Sequence, residues 1–133
     1  MIEIDRAEFL SGPESVPPDP WGVLVAVGFN EVRESEVERA RKHLSIALSG
    51  EFCRLGFRRF AGVYAERESD LGALLSQFEA DREEAGRWRF AACRCQSIDD
   101  FGSALHEAEW RASKAARYES GEVFQQVSLD GAL

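Results

Sequence analysis

The chain has 133 residues, 44% hydrophobic and 30% charged, with 24 acidic against 16 basic residues and a net charge of −8. That length suits one domain around one core, and the acidic balance disfavours nucleic acid, whose phosphates it repels unless cations cluster. The longest apolar run, Val23 to Val27, falls far short of the roughly 20 residues that span a bilayer, and no basic-then-apolar leader opens the chain; the expectation is a cytoplasmic protein with no membrane insertion.

Residues 1–20 read as an N-terminal arm and linker, and residues 21–133 as one domain. Met1 to Phe9 adds a short strand or an arm. Ser11 to Pro20 holds all four prolines; proline fixes φ and removes backbone donors, so this stretch reads as extended. Trp21 to Phe29 is apolar on both alternating sets, the pattern of a central strand covered on both faces. Glu34 to Ser49 carries a helical stripe of Val37, Ala40, Leu44, Ala47 and Leu48, with Glu36, Glu38, Arg39, Arg41 and Lys42 mostly in water. Ser35 with Glu38 reads as its capping box and Gly50 as its stop.

Two short strands follow, Glu51 to Leu55 and Phe60 to Ala65, joined by Gly56, Phe57, Arg58 and Arg59. Such a link predicts a β-hairpin, here with two arginines at its tip. Ser69 caps a second helix with a stripe of Leu71, Leu74, Leu75 and Phe78, and Gly86 stops it. Arg87 to Cys95 reads as a strand with Trp88, Phe90 and Ala92 on one face. Ser97 or Asp99 opens a third helix, with Phe101, Ala104, Leu105, Ala108, Ala112 and Ala115 on one side. Glu122 to Leu129 closes the chain as a last strand. The expected fold is α+β: a ferredoxin-like βαββαβ core with an extra C-terminal helix and strand, its helices packed on a mixed or antiparallel sheet. That topology hosts many functions and by itself names none.

The three cysteines, Cys53, Cys93 and Cys95, read as buried reduced thiols. Cys93 and Cys95 lack the two-residue spacing usual for zinc, and neither His43 nor His106 completes a ligand set. No metal or other cofactor is expected. No Ser-His-Asp, Cys-His or phosphate-loop pattern is present. Arg54, Arg58 and Arg59 suit a small anion site at the hairpin, since arginine forks match phosphate and carboxylate; a solvated turn, or ion pairs with the many acidic side chains, is the plainer alternative. Trp110 reads either as an interface anchor or as a ring folded onto the edge of the core. Phe57 reads either as a docking residue or as a plug.

The order of elements and four local stretches resemble the GGDEF domain, the diguanylate cyclase fold, over Trp21 to Leu129. Val23 to Phe29 is similar to that family's first catalytic strand. Arg54-Leu55-Gly56-Phe57-Arg58-Arg59-Phe60 resembles its signature hairpin, Arg59 and Arg58 standing where the acidic pair belongs. Arg89 to Cys95 is similar to a later Ser-Ile-Gly strand, and Leu105-His106-Glu107-Ala108-Glu109, with Lys114 beyond, to its last helix. The resemblance implies what is missing. The second signature glycine is Phe57. Arginine neither ligates a metal nor acts as a base at neutral pH. Val25, Ala26, Val27 and Gly28 offer no carboxylate for the metal-binding position of the first strand. The nucleotide-reading loop after that strand is shortened. Ala47, Leu48, Ser49 and Gly50 occupy the inhibitory Arg-x-x-Asp site, so cyclic di-GMP is not expected there. The expectation is a catalytically inactive, GGDEF-like regulatory or scaffolding domain in bacterial signalling, working through a protein partner. A receptor for a nucleotide or other anion, with Arg54, Gly56, Phe57, Arg58, Arg59 and Trp110 as contacts, is the alternative, as is an unrelated ferredoxin-like interaction domain. A homodimer stays open.

Overall fold

A computed structural model describes residues 9, 20–65, 71–80, 88–119 and 121–129. Strand β1 (Trp21–Gly28) is buried at every position and lies at the centre of a five-stranded sheet. The other strands are β2 (Phe52–Gly56), β3 (Arg59–Ala65), β4 (Trp88–Cys95) and β5 (Phe124–Val127), and the sheet order is β2-β3-β1-β4-β5. β1 runs antiparallel to both β3 and β4, β2 antiparallel to β3, and β5 parallel to β4, so the sheet is mixed. Helices α1 (Glu34–Leu48), α2 (Leu71–Ala80) and α3 (Phe101–Arg117) pack on it.

The unbroken apolar run of β1 follows from this placement, because both of its faces are covered. On one face Val23, Val25 and Val27 meet Phe101, Ala104, Ala108 and Ala112 of α3. On the other, Leu24 and Ala26 share a cluster with Val37, Ala40 and Leu44 of α1 and with Leu71 and Leu75 of α2. The small alanines of α3 let that helix lie close to the sheet. Trp88, Phe90 and Ala92 share the α1–α2 face, as their alternation implied. Trp21 and Trp88 are core residues. Phe9, the described residue of the N-terminal arm, is fully buried and meets Phe101 edge to face at 5.2 Å. The linker Ser11 to Pro20, except for Pro20 itself, the caps at Ser69 and Gly86 and the Phe78 side chain lie outside what is described. Among the described residues, no helix is long and apolar enough to cross a membrane.

Several local expectations are corrected. Ser35 does not cap α1: the cap residue is Arg33, whose carbonyl accepts from the amides of Glu36 and Val37, and Ser35 lies within the helix. Glu38, the expected partner in that box, instead accepts from Arg41. Arg41 is not solvated. It is 4% exposed, and its Nη1 donates to the Phe52 carbonyl at 2.9 Å, tying α1 to the edge strand β2. Ala47 is exposed: the buried face of α1 runs through Val37, Ala40, Arg41, Leu44 and Leu48, and Ala47 lies off it. Ser49, not Gly50, takes the left-handed conformation (φ 51°) that ends the helix, and the Gly50 amide returns to the Ser45 carbonyl. Gly50 is required for a different reason: a Cβ there would run into the Val63 carbonyl of β3. The last strand is shorter than expected and pairs with β4 only over Phe124–Val127. Before α3 a 3₁₀ turn, Ile98–Asp100, is held by Asp100, whose carboxylate accepts from the Ser97 and Gln96 amides.

The three cysteines are free and buried. Burial, helped by the neighbouring Cys93 and Asp100, pushes the Cys95 thiol up to about 12 from its ordinary 9.0. The unfolded thiol ionises near its ordinary value while the folded one keeps its proton. The unfolded state therefore binds fewer protons between the two values, and stability falls as pH rises through that window. A Cys95→Ala variant is expected to lose less stability than the wild type across that alkaline window in denaturant titrations. A second outcome concerns Gly62, where a Cβ would enter the ring of the buried Phe52. Gly62→Ala is expected to cost about 1–3 kcal/mol of unfolding free energy by overpacking, read from chemical denaturation.

Candidate functional site

The hairpin tip is a two-residue turn. Gly56 pairs with Arg59, which leaves Phe57 and Arg58 between the strands, and the register slips by one residue between Arg54 and Gly56. Arg58 carries a positive φ of 58°, a conformation that costs a non-glycine residue free energy unless its surroundings hold it. Three hydrogen bonds do so. The Gly28 amide donates to the Arg58 carbonyl at 2.9 Å. The Arg58 guanidinium donates to the Asn30 carbonyl and to Asn30 Oδ1, both at 3.1 Å. The tip is thereby fastened to the segment that leaves β1.

Strand register then sorts the arginines. Arg54 points to the α1 face, where it pairs with Glu34 and lies 4.0 Å from Glu38, and it also donates to the Gly56 carbonyl. Arg59 sits opposite Val27, whose side chain belongs to the α3 face. The sheet therefore separates Arg54 from Arg59, and the expected three-arginine cluster does not form. Arg54 is committed to acidic side chains of α1, as one of the alternatives had it. Gly56 is exposed at the end of β2, with open space where a Cβ would stand.

Phe57, Arg58 and Arg59 instead join the C-terminal end of α3. A cleft of about 590 Å³ lies between them, with Phe29 and Asn30 on its floor and Trp110, Ser113, Lys114, Arg117 and Tyr118 on the helix side. The sequence-derived contacts Phe57, Arg58, Arg59 and Trp110 are thus brought together, while Arg54 and Gly56 are not. No sequence motif marks Lys114, Arg117 or Tyr118 as site residues. Their spacing carried a usable signal, because Trp110, Lys114 and Arg117 at i, i+4 and i+7 share one helix face.

The cleft differs in charge from the rest of the chain. Among the described residues four cations line it, Arg58, Arg59, Lys114 and Arg117, and no carboxylate does. Among the described residues none of the four is paired with an acid; Arg58 is bonded to the neutral Asn30. Lys114 and Arg117 also sit in the last turn of α3, where cations offset the negative helix end. The rings are in water: Phe57 is 63%, Trp110 50% and Tyr118 64% exposed. Trp110 is therefore not folded into the core. Cations lie over two of these rings, with Arg58 Cζ 4.4 Å from the Phe57 centroid and Lys114 Nζ 5.0 Å from that of Trp110. The Ser113 Oγ, on the cleft wall, is buried without a hydrogen-bond partner. Behind the cleft, Arg89 sits opposite Val27 on the other side of β1, buried over the Phe29 ring at 4.9 Å. Among the described residues no group of three or more His, Cys, Asp or Glu is placed to hold a metal ion.

Among the described residues its lining has cations and apolar rings but no carboxylate or imidazole to move a proton. Its local potential can be read from Trp110, since Trp21 and Trp88 are buried. Iodide is expected to quench the accessible tryptophan fluorescence several-fold more strongly than caesium, because Lys114 and Arg111 stand by that ring. Lys114→Glu should bring the two Stern–Volmer constants together, and raised ionic strength should shrink the difference.

No family model, no curated protein and no solved structure matches this chain, so the cleft's own chemistry is the ground for a functional reading.

Proposed function

We propose that this chain is a non-catalytic, GGDEF-like binding module that recognises an anionic partner at the cleft between the hairpin tip and the end of α3. One observation carries the binding role: four cations and three exposed rings gather around a space with no carboxylate among its described lining, in a chain of net charge −8. The end of α3 accounts for Lys114 and Arg117 by itself, but not for Arg58 and Arg59 beside them, and an anion site gathers cations in this way. The sheet order β2-β3-β1-β4, with α1 and α2 on one face, supports the ferredoxin-like part of the reading, in which α3 and β5 would be the extra C-terminal helix and strand. The non-catalytic part rests on residue chemistry: Arg58 and Arg59 at the signature hairpin cannot hold a metal, and β1 carries no carboxylate. A regulatory role of this kind belongs to bacterial signalling, the setting that the GGDEF resemblance implies.

Two measurements on the full chain test the proposal. Incubation with GTP and magnesium is expected to give no cyclic dinucleotide. Calorimetric titration with inorganic tripolyphosphate and with polyglutamate is expected to give saturable heat for at least one of them, lost in an Arg59→Glu, Lys114→Glu double variant. Magnesium-dependent product would overturn the non-catalytic half. Silence from both anions would overturn the binding half.

A further inference from the structure

We infer, on the strength of the binding role proposed above, that the occupant of the cleft is an acidic peptide segment of a protein partner, in which carboxylates flank an aromatic or large apolar anchor. The cations stand on two walls. Arg58 and Arg59 belong to the hairpin, Lys114 and Arg117 to α3. Lys114 and Arg117, three residues apart, point the same way along the helix. Charges laid out in this manner match several separate carboxylates better than one compact phosphate.

The helix end gives a second reason. Phosphate sites commonly use a helix N-terminus, whose free amides and positive pole face the anion. Here the C-terminal turn of α3 lines the cleft, so its carbonyls repel a dense charge and leave attraction to the side-chain tips. The rings give a third. Arg58 already covers a face of Phe57 and Lys114 a face of Trp110, which hinders a nucleobase from stacking between them. Ring edges and the partly open space between them remain for an apolar side chain, and exposed Trp, Tyr and Arg grouped at one place are the residue types that anchor protein interfaces. A long polyanion such as RNA would extend beyond the cleft onto a surface of the same sign. A short peptide touches only the basic part.

The test uses three probes against the full chain: a short peptide of alternating glutamate and tryptophan, the same peptide with glutamine at every glutamate, and inorganic tripolyphosphate. The acidic peptide is expected to bind with an affinity that falls as salt rises and to weaken about tenfold or more when its glutamates become glutamine. Arg59→Glu and Lys114→Glu are each expected to weaken it by about tenfold or more. Arg39→Glu, an equal charge reversal at an exposed position of α1, should leave it within about twofold, the small effect of a charge beyond the screening length. Far-UV circular dichroism and denaturation midpoints establish that the variants stay folded. Equal binding of the glutamine peptide, or equal weakening by Arg39→Glu, overturns the inference. If tripolyphosphate binds and the acidic peptide does not, the inference fails while the anion-binding role stands. If neither binds and the cleft variants behave as wild type, both fail.

Discussion

The structure depends on β1 being held from both sides. Antiparallel ladders to β3 and β4 run along nearly its whole length, and side chains of both parities are covered, by α3 on one face and by α1 and α2 on the other. Every backbone donor and acceptor in such a strand needs a partner, because burial removes water as the alternative. The β3 register follows from that demand, and with it the position of the hairpin. Val27 must stand opposite Arg59 and Arg89, and the next amide, Gly28, reaches the Arg58 carbonyl. The end of the central strand thus places the tip of a neighbouring hairpin, and the Asn30 bonds stabilise a backbone conformation at Arg58 that would otherwise be unfavourable.

The same constraint divides the charge. A strand's side chains alternate between faces, so Arg54 of β2 and Arg59 of β3 go to opposite sides of the sheet. Arg54 meets the acidic first turns of α1. Arg59 meets the basic end of α3. One side is neutralised and the other keeps a positive potential over a cleft with exposed rings. The net charge of −8 on the whole chain sharpens that contrast.

Much of the fold was legible in the residues. The all-apolar run of β1, the alternation of Trp88, Phe90 and Ala92 and the alanine stripe of α3 each have one simple placement, and the structure adopts it. Helix ends were less legible. Ser35 and Glu38 have the spacing of a capping box, yet the helix starts earlier and Glu38 is drawn to Arg41. Arg41 itself follows the pattern of a wet-face residue, but the nearby edge strand offers the Phe52 carbonyl at 2.9 Å, and its guanidinium is buried to reach it. No local pattern contains that partner. The hairpin's cluster of arginines was visible as a group of cations near one turn, but their separation by face follows from a register that slips between Arg54 and Gly56.

By itself the sequence determined the types of the elements, the sites of the core and the want of acidic chemistry at the hairpin, because periodicity, composition and residue identity are local properties. It also determined that Trp110, Lys114 and Arg117 share a helix face. Only the tertiary structure decided what that face meets. Packing α3 against the β1–β4 face brings its C-terminal turn beside Phe57, Arg58 and Arg59, more than fifty positions away along the chain. Contacts at that separation are set by how helix and sheet surfaces fit and by how buried backbone is paired, and no short stretch of residues encodes them.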